Sequence, residues 1–255
     1  MLRPAIINYI DALENPPGLF RTLGEPAVER DVWGVPQLRA GNSAAIFTYL
    51  PDTPDISGGR RRFLKCYVRP NPYLRTIYDY IERRRPVLLP EMRLLREELF
   101  VETPGGETGW VDIVEGEWTP GETLSVAVGR AAMAGDTTRL EALAAAFDGL
   151  WARLLAVEWA HGDLKPENII VRPDGELILI DADAVWIPEL AGLPAVETGT
   201  PGYRHPARTA EWFDKRIDDF PARIISDSLR ALALRPELYA ARPDPDMLLF
   251  SAKNY

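Results

Sequence analysis

The pattern of apolar residues changes once along the chain, at 116–124, and this change limits the folds open to the sequence. Between residues 28 and 114, short apolar runs are separated by glycine and proline, which is typical of strands joined by turns. Between residues 138 and 160, apolar residues recur at spacings of three and four, which is typical of an amphipathic helix. The sequence therefore predicts an α+β chain with a strand-rich first part and a mostly helical second part.

Four apolar runs in the first part predict a small antiparallel sheet made of two hairpins. The runs are 44–50 with 61–68, and 92–101 with 109–114. Between the hairpins, apolar residues at helical spacing from Leu74 to Ile81 predict one amphipathic helix, which Pro86 ends.

The second part contains two predicted helices and one predicted hairpin. The longer helix starts at Thr138, where Thr138 and Glu141 have the spacing of a capping box, and it extends to residue 160. The hairpin pairs 169–171 with 176–180 across a turn that contains proline and glycine, and a last helix covers 219–234.

Charge and composition exclude several classes of protein. The 255 residues include 38 acidic and 29 basic ones, whereas a protein that binds nucleic acid through its phosphates normally presents a basic face. The single cysteine, Cys66, cannot form an intramolecular disulfide, and the two histidines lie too far apart for zinc-binding spacing. The sequence has no long uncharged stretch and no signal-peptide pattern, so we expect a cytoplasmic protein that does not enter a membrane.

The segment from His161 to Asn168 places a carboxylate, an ammonium group and a carboxamide on one short loop. Asp163 is suited to accept the proton of an attacking hydroxyl, and Lys165 to neutralise charge on a transferring phosphoryl group. Asn168 offers a side-chain oxygen to a magnesium ion. This combination of residue types indicates phosphoryl transfer.

Asp181 stands thirteen residues after Asn168, at the end of an apolar run. Because the predicted hairpin folds this run back against the run after Asn168, we expect the two side chains to lie side by side. Two converging oxygen ligands suit a hard divalent cation whose remaining ligands are water and nucleotide phosphates. The sequence therefore predicts a magnesium site formed by Asn168 and Asp181.

These residues resemble the signature of the eukaryotic-like Ser/Thr protein kinase family. The segment His161-Gly162-Asp163-Leu164-Lys165-Pro166-Glu167-Asn168 is similar to the family's catalytic loop H-R-D-L-K-x-x-N with one departure, Gly162, and Asp181 stands at the aspartate of D-F-G. The resemblance covers residues 28–232 and implies a bilobal kinase-like fold with a truncated C-terminal lobe. The parts would be an N-terminal extension (1–27), an N-terminal lobe (28–115), a hinge (116–122) and a C-terminal lobe (123–255).

The resemblance also implies which residues bind the nucleotide. Lys65 corresponds to the family's strand lysine, and its ion-pair partner on the helix would be Glu82, with Glu91 as the alternative. The remaining positions are the phosphate loop Gly41, Asn42, Ser43 and Ala44, then Phe63 above the base, and Glu117 and Trp118 in the hinge. Gly41 is the only glycine of this phosphate loop.

Departures from the family's pattern lead to two further expectations. Phe63 stands where the family has alanine, and Gly116 falls at the gatekeeper position, so we expect the phenyl ring to occupy the space that Gly116 leaves. Ala182 replaces the phenylalanine of D-F-G, and Gly162 replaces the arginine that the family pairs with a phosphorylated residue. Activation by such phosphorylation is therefore not expected.

Two contacts within the second part also follow from the resemblance. Thr200 lies in a segment similar to the substrate-facing end of the family's activation segment, and we expect it to contact Asp163 and Lys165. Asp219, with Asp218 as the alternative, is expected to accept hydrogen bonds from the backbone of the catalytic loop.

The function that the resemblance implies is ATP- and Mg²⁺-dependent phosphoryl transfer to a Ser or Thr hydroxyl of a protein or peptide substrate. Asp163 and Lys165 would be the catalytic residues. Two alternatives stay open: a pseudokinase that acts as a nucleotide- or protein-binding module, and a small-molecule kinase. The sequence carries no signal for an oligomeric state.

Overall fold

The computed structural model describes residues 2–41, 43–51 and 61–255. Over these residues the protein has an α+β architecture with five α-helices, a five-stranded antiparallel sheet and a three-stranded sheet. The predicted α+β class is confirmed. The chain divides into two compact units, the first formed by Met1–Arg85 with Pro90–Trp118 and the second by Pro86–Leu89 with Thr119–Tyr255.

The first unit is built on the five-stranded sheet, whose strands lie in the order β1-β2-β3-β5-β4. Its elements are α1 Ile6–Glu14, β1 Leu38–Ala40, β2 Ala44–Tyr49, β3 Arg62–Tyr67, α2 Leu74–Arg84, β4 Met92–Glu102 and β5 Thr108–Glu117. Both predicted strand pairs are confirmed, because β2 runs antiparallel to β3 and β4 to β5. The predicted helix is α2, which ends where Arg85 adopts a left-handed conformation directly before Pro86.

Side chains alternate along β2 and β3 and so give the sheet two different faces. Phe47 and Leu64 are fully buried in the apolar core on one face. A strand sends successive side chains to opposite faces, so Phe63 and Lys65 belong to the other face, where Lys65 lies opposite Ile46. This second face carries the strand residues that the resemblance assigns to nucleotide binding.

The N-terminal segment packs on the core face of the sheet. Helix α1 buries Tyr9 and Leu13 in the same apolar core. After α1, the buried carboxylate of Glu98 accepts hydrogen bonds from the N–H groups of Thr22 and Leu23, both at 2.8 Å. Residues of the segment expected to be an extension are therefore part of the core of the first unit.

A buried ion pair joins β3 to β5. Arg62 directs its Nε and Nη2 at the two carboxylate oxygens of Glu115, and Tyr49 and Arg93 donate to the same carboxylate at 2.9 and 3.1 Å. Burial works to raise the pKa of Glu115, but these donors outweigh it and the pKa is lowered. Removing one partner of such a pair costs about 3–5 kcal/mol, because the other charge is left buried.

The second unit is mostly helical and contains the three-stranded sheet β6-β7-β8. Its elements are β6 Glu122–Thr123, α3 Leu124–Ala134, α4 Thr137–Ala156, β7 Ile169–Val171, β8 Leu177–Leu179 and α5 Asp219–Leu234. The hairpin of β7 with β8 and the helix α5 confirm their predictions. Helix α3 has no counterpart in the prediction, because its many small residues form only a weak apolar stripe.

Helix α4 differs from its prediction at both ends. Its N-cap is Asp136, whose carboxylate accepts a hydrogen bond from the N–H of Arg139 at 2.9 Å, so the predicted capping box of Thr138 and Glu141 is wrong. An aspartate satisfies the free N–H groups of a first turn as well as a threonine does. The helix stops at Ala156, because the next residue is extended.

None of the helices in the described ranges has the length and hydropathy needed to cross a membrane.

Candidate active site

The loop that carries the predicted catalytic residues lies between α4 and β7. At its start the fully buried His161 places its ring Nε2 at 2.8 Å from the carbonyl oxygen of Ile180. At its end a short 3-10 helix, Pro166–Asn168, leads into β7. Both ends of the loop are therefore tied to the interior of the second unit.

One buried carboxylate holds the backbone at the start of this loop. Asp218 accepts hydrogen bonds from the N–H groups of His161 and Gly162, the second at 2.9 Å. Burial raises the pKa of Asp218, while the charge of His161 and the two N–H groups oppose that rise. The prediction that Asp219 accepts these backbone hydrogen bonds is wrong, and the alternative, Asp218, is right. Asp219 instead pairs with the exposed Arg216 at 2.8 Å.

Asp163 lies at the centre of a set of close polar contacts. Its Oδ2 is 3.0 Å from the ammonium nitrogen of Lys165. Its Oδ1 accepts hydrogen bonds from the N–H of Thr200 at 2.7 Å and from the Thr200 hydroxyl at 2.9 Å. The Lys165 ammonium also donates to the Thr200 hydroxyl at 3.1 Å, so the predicted contact of Thr200 with both residues is confirmed.

The surroundings of Asp163 keep its carboxyl group ionised. Burial works to raise its pKa, but the charge of Lys165 and the hydrogen bonds from Lys165 and Thr200 outweigh burial, and the pKa is lowered. The side chains of Asp163 and Lys165 remain 17% and 25% exposed. An ionised carboxylate that solvent can reach is able to accept a proton from a hydroxyl group.

The hairpin of β7 with β8 places the two predicted magnesium ligands. The N–H of Ile180 donates to the carbonyl oxygen of Asn168 at 2.9 Å, which sets Asp181 one residue beyond the residue paired with Asn168. The Asn168 amide nitrogen donates to the carbonyl oxygen and the carboxylate of Asp163, at 2.9 and 3.3 Å. The amide oxygen is thereby left as the atom that can bind a metal ion.

Asp181 and its neighbours differ in exposure. Asp181 is exposed and has a left-handed backbone with φ 68°, whereas Ala182 and Asp183 are buried in a short 3-10 helix. In the described part of the chain, no three His, Cys, Asp or Glu side chains form a group that could hold a metal ion. The protein ligands that the sequence predicts for a cation here are the Asp181 carboxylate and the Asn168 amide oxygen.

The backbone around Gly162, in the loop of Asp163, requires a glycine at this position. Gly162 has φ 83°, a backbone conformation that residues with a side chain rarely adopt. A Cβ at this position would overlap the carbonyl oxygen of Ala184. An arginine at this position, as in the family's pattern, cannot fit this backbone. The departure at Gly162 therefore has a local steric cause.

In the first unit, the structure does not bring Glu82 to Lys65. Lys65 is 6% exposed, and its ammonium nitrogen lies 5.5 Å from the centre of the Tyr67 ring. Glu82 is exposed, and its carboxylate accepts a hydrogen bond from the N–H of Leu94 at 3.2 Å. The assignment of Glu82 as the partner of Lys65 is corrected, because the carboxylate turns to the start of β4. The alternative, Glu91, is also exposed.

Phe63 and Gly116 lie opposite each other on β3 and β5, and the ring of Phe63 covers Gly116. A Cβ at Gly116 would come within 2.7 Å of Phe63 Cε1 and within 2.8 Å of the carbonyl oxygen of Glu91. These distances are too short for any side chain. The expectation that the phenyl ring occupies the space left by Gly116 is confirmed.

The described residues of the predicted phosphate loop, Gly41, Ser43 and Ala44, lie between β1 and β2 or at the start of β2. The N–H of Gly41 donates to the carbonyl oxygen of Ala44 at 2.9 Å, and the carbonyl oxygen of Ser43 accepts from the N–H of Val68 at 2.9 Å. Asn42 lies outside the described residues. The backbone of this loop is thus tied to the end of β3.

Of the predicted hinge residues, Glu117 ends β5 and Trp118 borders a small cavity. The N–H of Trp118 donates to the carbonyl oxygen of Arg61 at 2.9 Å, and the Arg39 guanidinium lies 4.7 Å from the centre of the Trp118 ring. The N–H of Glu117 donates to the carbonyl oxygen of Glu91 at 2.8 Å. A cavity of about 150 Å³ is lined by Glu29, Gln37, Arg39, Ile46, Thr48, Arg61 and Trp118. Sequence spacing gives no hint of this cavity, because its residues are distant along the chain.

The C-terminal segment, residues 244–255, packs on the loop whose Thr200 contacts Asp163. The N–H of Ala252 donates to the carbonyl oxygen of Gly202 at 2.8 Å. The N–H of Leu248 donates to the hydroxyl of Tyr203 at 3.3 Å, and both of these side chains are buried. Part of the loop that the resemblance makes substrate-facing is therefore covered by the chain's own residues.

Comparison with known proteins does not assign the chain to a family. No model of a known protein family matches the sequence, and a search of curated proteins finds no match. The case for a function therefore rests on the contacts within the site.

The two aspartates at the start of α5 make a matched pair for mutation. We expect Asp218→Ala to lower the free energy of unfolding by about 2–4 kcal/mol, because two buried N–H groups lose their acceptor. Asp219→Ala should cost less than about 1 kcal/mol, since it removes only an exposed ion pair. Denaturant unfolding measures both values, and hydrogen exchange should show faster exchange at the His161 and Gly162 amides in Asp218→Ala alone. Equal effects of the two variants would contradict the assignment.

Gly116 and Gly149 allow a second matched comparison. Gly116→Ala should lower the free energy of unfolding by about 1–3 kcal/mol, because the new methyl group meets the Phe63 ring and a carbonyl oxygen. Gly149 lies in α4 with open space around its Cα, so Gly149→Ala should leave stability unchanged or raise it by up to about 1 kcal/mol. Thermal and denaturant unfolding provide the measurement. A Gly116→Ala variant as stable as Gly149→Ala would show that the ring does not lie on Gly116.

Proposed function

We propose that the protein transfers a phosphoryl group from ATP to a hydroxyl group, with Mg²⁺, and that its two units are the lobes of a bilobal protein kinase-like fold. The observation that carries this proposal is the set of contacts among Asp163, Lys165, Thr200 and Asn168. The acceptor of first choice is a Ser or Thr hydroxyl of a protein or peptide. The buried, protonated thiol of Cys66, whose pKa burial raises, suits the cytoplasm that we propose as the location.

Asp163 and Lys165 are the proposed catalytic residues. The lowered pKa of Asp163 leaves its carboxylate free to accept the proton of the attacking hydroxyl, which transfer of a phosphoryl group releases. The ammonium group of Lys165, 3.0 Å from that carboxylate, is placed to neutralise charge on the group in transfer. The Thr200 hydroxyl already donates to Asp163 Oδ1, which indicates where an acceptor hydroxyl would bind.

Asn168 and Asp181 are the residues that would hold Mg²⁺, through the amide oxygen and the exposed carboxylate. A magnesium ion supplies neutralisation of the negative charge on nucleotide phosphates. The donor set fits the ion, because both ligands are oxygen atoms and Mg²⁺ commonly keeps water and phosphate as its other ligands. Nucleotide binding further draws on Lys65 and Phe63, on Gly41, Ser43 and Ala44, and on Glu117 and Trp118.

Nucleotide binding is tested by thermal unfolding with ATP, with and without Mg²⁺. At about 100 times the dissociation constant, ATP should stabilise the wild-type protein by roughly 2.7 kcal/mol. Asp181→Ala should lose the Mg²⁺-dependent part of this shift, whereas Asp163→Asn should keep it and abolish transfer. Glu141→Ala, which changes an exposed acid on α4, serves as the control and should behave like the wild type.

One result of this titration and one result of a transfer assay would count against the proposal. If millimolar ATP does not shift thermal unfolding, the result favours the pseudokinase alternative, in which the protein binds another protein and transfers no phosphoryl group. Unchanged turnover in Asp163→Asn would remove Asp163 from its proposed role.

A second candidate acceptor is a small molecule, and the C-terminal segment favours it. The N–H of Ala252 takes the carbonyl oxygen of Gly202, so a peptide backbone cannot pair with that atom while the segment is in place. Leu248 and Tyr203 are buried in this contact, and exposing an apolar side chain of that size costs about 1.5–3 kcal/mol. A small hydroxyl compound needs only the exposed edge of Asp163 and Lys165.

The variant Ala252→Pro separates the two acceptor classes. Ala252 begins a short 3-10 helix, a position that proline tolerates, so the change mainly removes one N–H group. For a protein kinase, we expect phosphorylation of a mixed Ser/Thr peptide library to rise several-fold, because the Gly202 carbonyl becomes free. For a small-molecule kinase, we expect no peptide phosphorylation in either form. Ala252→Gly keeps the N–H group and is the control, and mass spectrometry of the peptides provides the measurement.

A further inference from the structure

Arg208 is a buried cation beside the catalytic loop that the proposed chemistry leaves unused. It is 7% exposed, and its Nη1 donates to the carbonyl oxygen of Gly162 at 2.8 Å. Its Nε and Nη2 are buried and have no hydrogen-bond partner among the described residues. Buried polar groups are nearly always hydrogen-bonded, so a guanidinium with two unpaired nitrogens needs a local explanation.

The buried arginine of the first unit shows what Arg208 lacks. Arg62 has both carboxylate oxygens of Glu115 as partners and so compensates for its burial. Among the described residues, Arg208 forms no such ion pair. Burial lowers the pKa of Arg208, and the nearby charges of Asp218 and Asp163 oppose that decrease. The burial of Arg208 is therefore not offset by an ion pair, and this lowers the stability of the folded chain.

The guanidinium of Arg208 lies between two glycines of neighbouring loops. A Cβ at Gly199 would be 3.2 Å from Nη1 of Arg208 and 3.0 Å from the carbonyl oxygen of Gly162. Neither glycine carries a side chain that would displace the guanidinium. Arg208 thus lies against both the loop of Asp163 and the loop of Thr200.

Both peptide groups of Gly162 are held from opposite sides. Asp218 accepts from its N–H at 2.9 Å, and Arg208 donates to its carbonyl oxygen at 2.8 Å. The peptide group that contains this carbonyl also contains the nitrogen of Asp163. Because Gly162 has the most flexible type of backbone, two fixed peptide groups limit the directions in which Asp163 can point.

We propose that Arg208 is a positioning residue that acts through Gly162 to hold Asp163 at the acceptor hydroxyl. This inference rests on the proposed function, because Asp163 needs a fixed direction only if it takes part in the transfer. Arg208 itself touches neither substrate nor nucleotide in this proposal. A reacting group displaced by about 1 Å can lose about 100-fold in rate, so loss of this contact should be measurable.

The test compares Arg208→Gln and Arg208→Lys with Arg172→Gln in the full chain. Arg172 is the control, because it also has a buried, unpaired Nε in the second unit but lies in the turn of the β7–β8 hairpin. With transfer of the γ-phosphoryl group of MgATP to a mixed Ser/Thr peptide library as the assay, Arg208→Gln should lower kcat about 10- to 100-fold and leave KM for ATP unchanged. Arg208→Lys should recover part of kcat, because it keeps a cationic donor. Arg172→Gln should change neither constant.

Hydrogen exchange gives a readout that does not depend on turnover. The Gly162 amide should exchange faster in Arg208→Gln than in Arg172→Gln, while the Leu179 amide, which donates to the carbonyl oxygen of Leu88, stays protected in both. Faster exchange at Gly162 together with a kcat effect supports the proposal. If Arg208→Gln matches Arg172→Gln in both kcat and Gly162 exchange, the proposal is overturned. If the wild type shows no turnover, the proposed function fails, and the exchange result alone decides whether Arg208 holds the loop.

Discussion

The carboxylate of Asp218 is the interaction on which the candidate active site depends. It stands directly before α5, is fully enclosed, and accepts the N–H groups of His161 and Gly162. A buried donor without an acceptor costs about 1–3 kcal/mol. The position of the loop backbone is therefore fixed by the Asp218 carboxylate, and the position of that carboxylate is fixed by helix α5. The packing of α5 against α4 thereby sets the direction in which the chain enters the loop of Asp163.

Two glycines show how departures from the kinase pattern are compensated locally. At Gly162 the carbonyl oxygen of Ala184 takes the space of a side chain, and at Gly116 the ring of Phe63 does the same. In each case another part of the chain, a backbone carbonyl at Gly162 and a phenyl ring at Gly116, fills the space of the missing side chain. The phenyl ring, which in the family's pattern would block a base, lies instead on the glycine across the neighbouring strand.

Much of the fold and of the site could be predicted from local patterns. The strands β2 to β5, the helices α2 and α5 and the β7–β8 hairpin follow from periodicity and turn residues. The contact of Thr200 with Asp163 followed from a motif. Three features were not predicted from the sequence. Helix α1 is too short and helix α3 too rich in small residues to give a clear apolar pattern, and no helical spacing reveals the contact of Glu82 with β4.

The sequence by itself determined which chemical groups are present and which elements carry them: the carboxylate, ammonium and amide of one loop, and an aspartate after a hairpin. Only the tertiary structure decided between Asp218 and Asp219, paired Arg208 with Gly162, and laid the C-terminal segment on Gly202. The physical reason is that two adjacent aspartates at a helix start look alike in sequence, yet packing buries Asp218 and leaves Asp219 partly exposed. Burial makes each hydrogen bond obligatory, and burial is a property of the assembled chain.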